Sequence, residues 1–217
     1  MNRIPEPELM DGLEQSLAYE QANFSEVNEA FVSGFLKHFK VTHGANILDL
    51  GCGPAHIPCH LLTLRPDLQI TGVDGSAPML ALARSRKSRE GLGRLKLLEA
   101  ILPLPCPVTP YDIILSNSLL HHLHDPSLLW DEIKRQGRPG TQLYIMDLLR
   151  PDTEQTAHDM VSTYASGEPD ILRKDFFHSL RAAFRVPELQ SQLKTSGLTQ
   201  LQVVQVSDRH VCIKGVL

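Results

Sequence analysis

The chain has 217 residues, 42% hydrophobic and 21% charged, with a formal net charge of −4. These values fit one soluble domain large enough for a sizeable core, and they exclude the basic field that draws proteins to nucleic acid or anionic membranes. No apolar run is long enough to span a bilayer, and the start, Met1-Asn-Arg-Ile-Pro-Glu-Pro-Glu8, does not read as a signal peptide.

Residues 1–11, rich in Pro and acids, are expected to be extended or weakly ordered. Residues 13–40 read as two helices. Leu13, Leu17 and Glu20 mark one face of the first, and Phe24, Val27, Phe31, Phe35 and Phe39 recur at near-helical spacing, with Ser25 as a start signal for the second. The phenylalanine stripe is read as core packing, compatible with an apolar cap over a ligand mouth. Asn46-Ile-Leu-Asp-Leu50 then reads as a short buried strand that breaks into Gly51-Cys52-Gly53 and a helix over 55–64, with Pro54 in its first turn. Gln69-Ile-Thr-Gly-Val-Asp74 is a second strand, and it ends in an acid 23 positions after Gly51.

A strand, a Gly-rich turn and a helix bring backbone N–H groups close to a ligand. An acid at the tip of the second strand is placed to take both hydroxyls of a ribose. Together they predict an adenosine-type nucleotide site. The dinucleotide fingerprint needs a third glycine where His56 stands, which argues against an NAD-dependent oxidoreductase. Asp49, two residues before Gly51, would repel a pyrophosphate but suits an ammonium or sulfonium. A side chain at Gly51 or Gly53 is expected to fill the space of the ligand.

Further along, Ser76 caps a helix to about Arg89 that carries Met79, and Arg84, Arg86, Lys87 and Arg89 read as its solvated face. Strands follow at 94–99, 111–117 and 142–147, with a helix over 126–136 between the last two. The segment 150–186 is longer than an ordinary strand–helix connection and is expected to be partly helical, broken at 166–169. A helix from Pro187 to Gly197 and a hairpin, 201–206 with 210–216, close the chain. Cys52, Cys59, Cys106 and Cys212 form no CxxC pair and read as reduced thiols of a cytoplasmic protein.

The strings Asp49-Leu-Gly-Cys-Gly-Pro-Ala55, Val73-Asp-Gly-Ser-Ala-Pro-Met79 and Ser116-Asn-Ser-Leu-Leu-His-His122-Leu-His-Asp-Pro126 resemble the class I S-adenosylmethionine (SAM)-dependent methyltransferases. They are similar in particular to the ubiquinone/menaquinone-biosynthesis-type enzymes that act on small molecules. The resemblance covers about residues 41–217. It implies an α/β fold: a doubly wound, seven-stranded, mostly parallel sheet, with an antiparallel final hairpin, an N-terminal helical cap (1–40) and a lid insertion after the fifth strand (151–186). It implies SAM as cofactor and S-adenosylhomocysteine (SAH) as product. The cofactor would be held by Tyr19 at its carboxylate, by Asp49, Gly51, Cys52 and Gly53, and by Asp74, Gly75 and Met79 around the ribose and adenine. Glu99, Ala100 and Ile101 would contact the adenine, and Ser116 and Asn117 would lie near the reacting end. The family more often has Asp than Glu at position 99.

His121 and His122 are candidates for a general base, since an ordinary imidazole titrates near neutral pH; a structural role for either loop histidine stays open. Phe177, His178, Arg181 and Phe184 are candidate walls of the substrate pocket. No metal site is expected, because His121, His122 and His124 are too close in sequence to converge on one ion, and no third ligand partners His56 and His60. The expected reaction is transfer of the sulfonium methyl to a small-molecule oxygen or carbon, by a monomer or homodimer that does not act on nucleic acid. A nucleic-acid or protein methyltransferase and a non-catalytic SAM-binding or partner-stabilising protein remain alternatives.

Overall fold

Alternating runs of apolar residues and helix-forming segments set the layers. A computed structural model of the chain describes residues 1–105 and 110–217, so Cys106 lies outside the described residues. In chain order the elements are α1 (Leu13–Gln21), α2 (Ser25–His38), β1 (Asn46–Leu50), α3 (His56–Leu64), β2 (Gln69–Asp74), α4 (Ala77–Glu90), β3 (Leu95–Glu99) and β4 (Ile113–Asn117). Then come α5 (Ser127–Gln136), β5 (Gln142–Leu148), α6 (Glu154–Tyr164), α7 (Asp170–Ala182), α8 (Val186–Thr195), β6 (Gln202–Gln205) and β7 (His210–Val216). The sheet order is β3-β2-β1-β4-β5-β7-β6, with β7 antiparallel to both β5 and β6. Strands β1 to β5 run parallel, so their carboxyl ends share one edge, and the strand order reverses between β1 and β4. Such a switch point opens a crevice above those ends.

Pleating divides the core. Ile47 of β1 faces a cluster with Phe31, Phe35, Leu61, Ile70 and Tyr144, whereas Leu48 and Leu50 face Ile114, Trp130, Ile133 and Leu189. The phenylalanine stripe therefore splits. Phe31 and Phe35 are fully buried against the sheet, with the Phe31 ring 5.1 Å from that of Tyr144, whereas Phe24 and Val27 reach the crevice. Residues 150–186 build a small core of their own from Leu148, Ala157, Val161, Ala165, Leu180 and Ala183.

Two local expectations are revised. Ala55, in a left-handed conformation (φ +62°), caps α3, so Pro54 lies outside its first turn. The N-terminal segment is extended, as its prolines dictate, but it is tied down along its length. Arg3 donates to the carbonyls of Ala182, His121 and Leu123 and lies 4.1 Å over the Phe184 ring. The Ile4 N–H bonds the Arg181 carbonyl, and Ser76 Oγ donates to Met10. Cys52, Cys59 and Cys212 are free and buried. No helix of the described residues is long and apolar enough to cross a membrane.

Candidate active site

The crevice holds a cavity of about 590 Å³, within the roughly 300–1,000 Å³ usual for small-molecule sites. One end is built by the first βαβ unit. The N–H groups of Gly51 and Cys52 both donate to the Val73 carbonyl, at 2.8 and 2.9 Å, which folds the turn against β2. Gly51 and Gly53 have φ of +72° and +52°, a region that favours glycine. The two glycines differ in what they make room for. A Cβ on Gly53 would meet no atom within 4 Å, so that space is free for a ligand; one on Gly51 would come within 2.9 Å of Leu119. The expectation that both leave room for ligand is corrected on this point.

Asp74 ends β2 with its carboxylate accepting the N–H groups of Gly53 and Ser76, each at 2.8 Å. Burial raises its pKa. Asp49 is more deeply buried, and burial with the nearby charge of Asp74 pushes it up to about 8. Burial likewise pushes the Tyr19 phenol up to about 12 and the Cys52 thiol well above its usual range. Tyr19, Gly51, Gly53 and Asn117 line both the main cavity and a side pocket that ends on Asp49, Cys52 and His56. Asn117 Oδ1 is buried without a partner among the described residues. Gly75, Met79, Ala100 and Ile101 line the main cavity beside Asp74.

Two predicted residues are not brought there. Glu99 is exposed and turns to Arg84, 3.7 Å away, because its side chain leaves β3 on the solvent side. Ser116 is fully buried and donates to the Leu50 carbonyl at 2.9 Å, tying β4 to β1. Among the wall candidates, α7 presents Leu172, Asp175, Phe176 and Ser179, at i, i+3, i+4 and i+7, rather than Phe177, His178, Arg181 or Phe184. Phe177 stacks instead on His158, with ring centroids 4.3 Å apart. The rest of this wall comes from Tyr164 and from Arg209 and His210, none of which the sequence reading placed here.

At the far end, a short 3-10 turn, Leu120–His122, follows β4. His121 is 2% exposed; its Nδ1 lies 2.5 Å from Asp147 Oδ1, while Asp147 Oδ2 accepts the Leu120 N–H at 2.7 Å. Nε2 of His121 and Nδ1 of His122 each lie 3.4 Å from Glu6 Oε1, and the two rings are 4.3 Å apart. Glu6 also accepts from Ser179 Oγ at 3.0 Å. Burial alone would lower the His121 pKa, but the charge and hydrogen bond of Asp147, helped by Glu6, raise it. His122 has no hydrogen-bonded carboxylate behind it as His121 has, and burial and the neighbouring His121 charge push it down to about 3. The same burial raises Glu6. Neither imidazole is therefore an ordinary histidine. The absence of a metal site was expected from sequence spacing alone; in space Glu6 joins His121 and His122, and their donor atoms lie within 4.8 Å of one another. Asp147 had a legible signal, an acid closing an apolar strand as Asp49 and Asp74 do. Glu6, in a proline-flanked tail, had none.

A mostly parallel sheet with its switch point at a Gly-rich turn, an acid ending β2 and a histidine loop after β4 are the features that the resemblance to class I SAM-dependent methyltransferases implied. The free space at Gly53 and the unpartnered Asn117 Oδ1 fit the amino-acid end of SAM, and Asp74 fits its ribose. The chain belongs to the family described as "Methyltransferase domain", whose model matches residues 42–192. Its relatives include trans-aconitate 2-methyltransferase of Azoarcus sp. (strain BH72), 36% identical over 101 residues, which are 46% of this chain and 38% of that protein. The chain thus spans well under half the length of that relative. Among solved structures, a SAM-dependent methyltransferase from Aquifex aeolicus superposes with a TM-score of 0.68, at 18% identity, over 92% of this chain and 96% of that one. The plantazolicin methyltransferase BamL, solved in complex with a triazolic desmethylPZN analog and SAH, gives a TM-score of 0.69 at 14% identity, over 93% and 90% of the two chains.

Proposed function

We propose that the chain transfers the SAM methyl group to a small-molecule nucleophile, with oxygen or carbon favoured, bound between the histidine loop and α7. The observation that carries this reading is the continuity of one cavity from Asp74 and Met79 to His121 and His122. Gly53, Tyr19, Asn117 and Asp49 would hold the cofactor's amino-acid end, Asp74 its ribose, and Met79, Ala100 and Ile101 its adenine. When bound, SAM supplies a methyl group on a sulfur that already carries positive charge, so the leaving group needs no further activation.

What remains for this chain is alignment and handling of the nucleophile's proton. His121 and His122 meet the nucleophile. His121 is held in one orientation by Asp147, and with Glu6 the two imidazoles offer the lone pairs and negative charge that an ionising hydroxyl needs. Residues 1–11 and 151–186 act as the lid, which supports a small substrate over a macromolecule. A calorimetric titration with SAM, SAH and NADH tests the cofactor. It is followed by a labelled-methyl screen of small hydroxy and carboxylic acids, with trans-aconitate among the first. Binding of NADH in place of SAM, or no labelled product from any small molecule, would count against the reading.

A further inference from the structure

We propose that Glu6, His121 and His122 form a binding site for one divalent transition ion of the Zn²⁺ class, with an open position facing the substrate cavity. The donors are Glu6 Oε1, His121 Nε2 and His122 Nδ1. Glu6 Oε1 lies 3.4 Å from each imidazole nitrogen, and all three atoms lie within 4.8 Å of one another. A tetrahedral ion with bonds of about 2.0–2.1 Å sets its ligands about 3.3–3.4 Å apart. Two of the three edges therefore already have the required length, and the third, no longer than 4.8 Å, closes with a small rotation of the two rings, which are already tilted 33° to each other. Two imidazoles and one carboxylate are a donor set for Zn²⁺ and its neighbours rather than for Mg²⁺ or Ca²⁺.

Three further features fit an ion. His121 presents Nε2 because its Nδ1 is held 2.5 Å from Asp147, the carboxylate–histidine arrangement that orients a metal ligand from behind. The site is buried, with side-chain exposures of 9% for Glu6, 3% for His121 and 14% for His122, so water screens it little. Among the described residues no lysine or arginine pairs with Glu6; Arg3 spends its guanidinium on the carbonyls of Ala182, His121 and Leu123. A buried carboxylate in that position calls for a counter-charge. Two contacts must yield or be shared: the 3.3 Å approach of His122 Nδ1 to the Pro7 carbonyl, and the Ser179 Oγ bond to Glu6.

His121 and His122 line the cavity, so the remaining coordination position faces the substrate. An oxygen-bearing substrate, a hydroxyl or a carboxylate, would take it and be held in place as the fourth ligand. With the lone pairs of His121 Nε2 and His122 Nδ1 then spent on the ion, the ion in place of a free imidazole would favour ionisation of a bound hydroxyl. The ion's role in the reaction, though not its binding, rests on the methyl-transfer reading above.

The test uses the untagged full chain, stripped with chelator and titrated with Co²⁺ as a spectroscopic stand-in for Zn²⁺. One equivalent should bind per chain with visible d–d absorption, and Zn²⁺ should displace it. Glu6→Gln and His122→Ala should each abolish the spectrum. Asp147→Asn, which weakens the carboxylate's hold on His121 from behind and keeps an oxygen for the Leu120 N–H, should weaken Co²⁺ binding roughly 10–100-fold. SAH affinity, measured in parallel, should stay unchanged in Glu6→Gln and shows that the variant is folded. Equal Co²⁺ uptake by wild type and Glu6→Gln, or no uptake by a wild type that binds SAH, would overturn the ion site and leave the cofactor reading standing.

Discussion

The two ends of the cavity are made in different ways. The cofactor end rests mainly on two short contiguous stretches, Asp49 to Gly53 and Asp74 to Met79, each carried by one strand and the turn after it, with Tyr19, Ala100, Ile101 and Asn117 closing around them. The substrate end is assembled from five separated segments: Glu6, the histidine loop, Asp147, α7 with Tyr164, and the β6–β7 hairpin. The first depends on local backbone geometry and the second on how distant parts dock. Substitutions that enter the ligand's space or remove its partners at the first should therefore act on cofactor affinity, and those at the second on turnover.

The strongest test of that division is Gly53. Gly53→Val should remove detectable SAM and SAH binding, since its side chain enters the ligand's space. Gly53→Ala should weaken binding in a chain whose circular dichroism is unchanged; normal binding by Gly53→Ala would mean the turn does not approach the ligand. At the other end, His121→Ala and His122→Ala should each lower turnover on an identified hydroxyl substrate by about 10²–10⁴-fold while SAH affinity holds. If both variants keep wild-type turnover, the loop is structural and the division fails at that end.

Asp74→Ala should weaken SAM binding roughly 100-fold, from the loss of about 3 kcal/mol in hydrogen bonds to a charged group, read by calorimetry. Unchanged affinity would mean that the ribose does not sit on β2. Asp49 gives a smaller effect with a defined sign. In the empty site its pKa is about 8, so below that pH it is mostly protonated. A cationic ligand favours the carboxylate, so binding releases a proton. Affinity should then rise with pH by at most about tenfold per unit and level off above pH 8. Titrations in buffers of different ionisation heat should differ for wild type and agree for Asp49→Asn. The smallest change sharpens the contrast between the two glycines. Gly51→Ala meets Leu119 rather than ligand, and should cost roughly 1–3 kcal/mol in denaturant unfolding with little change in SAH affinity.

The order of strands and helices, the antiparallel hairpin and the Gly-rich turn beside the acid of β2 were legible in the sequence. Each is written in local signals: a period of two or 3.6, a glycine where φ is positive, a cap, an acid at a strand tip. Glu99 and Ser116 were misplaced because a family position does not say which side of a strand a side chain leaves. The face of α7 was misjudged for a related reason, since its aromatic residues occur on two sides and only docking selects Leu172, Phe176 and Ser179. What the sequence determined is the scaffold and the Gly-rich turn beside Asp74, which residues a few positions apart are enough to set. What only the tertiary structure decided is the substrate end. Bringing Glu6 to His121 and Asp147 requires a tail to cross the whole domain, and no spacing along the chain encodes that approach.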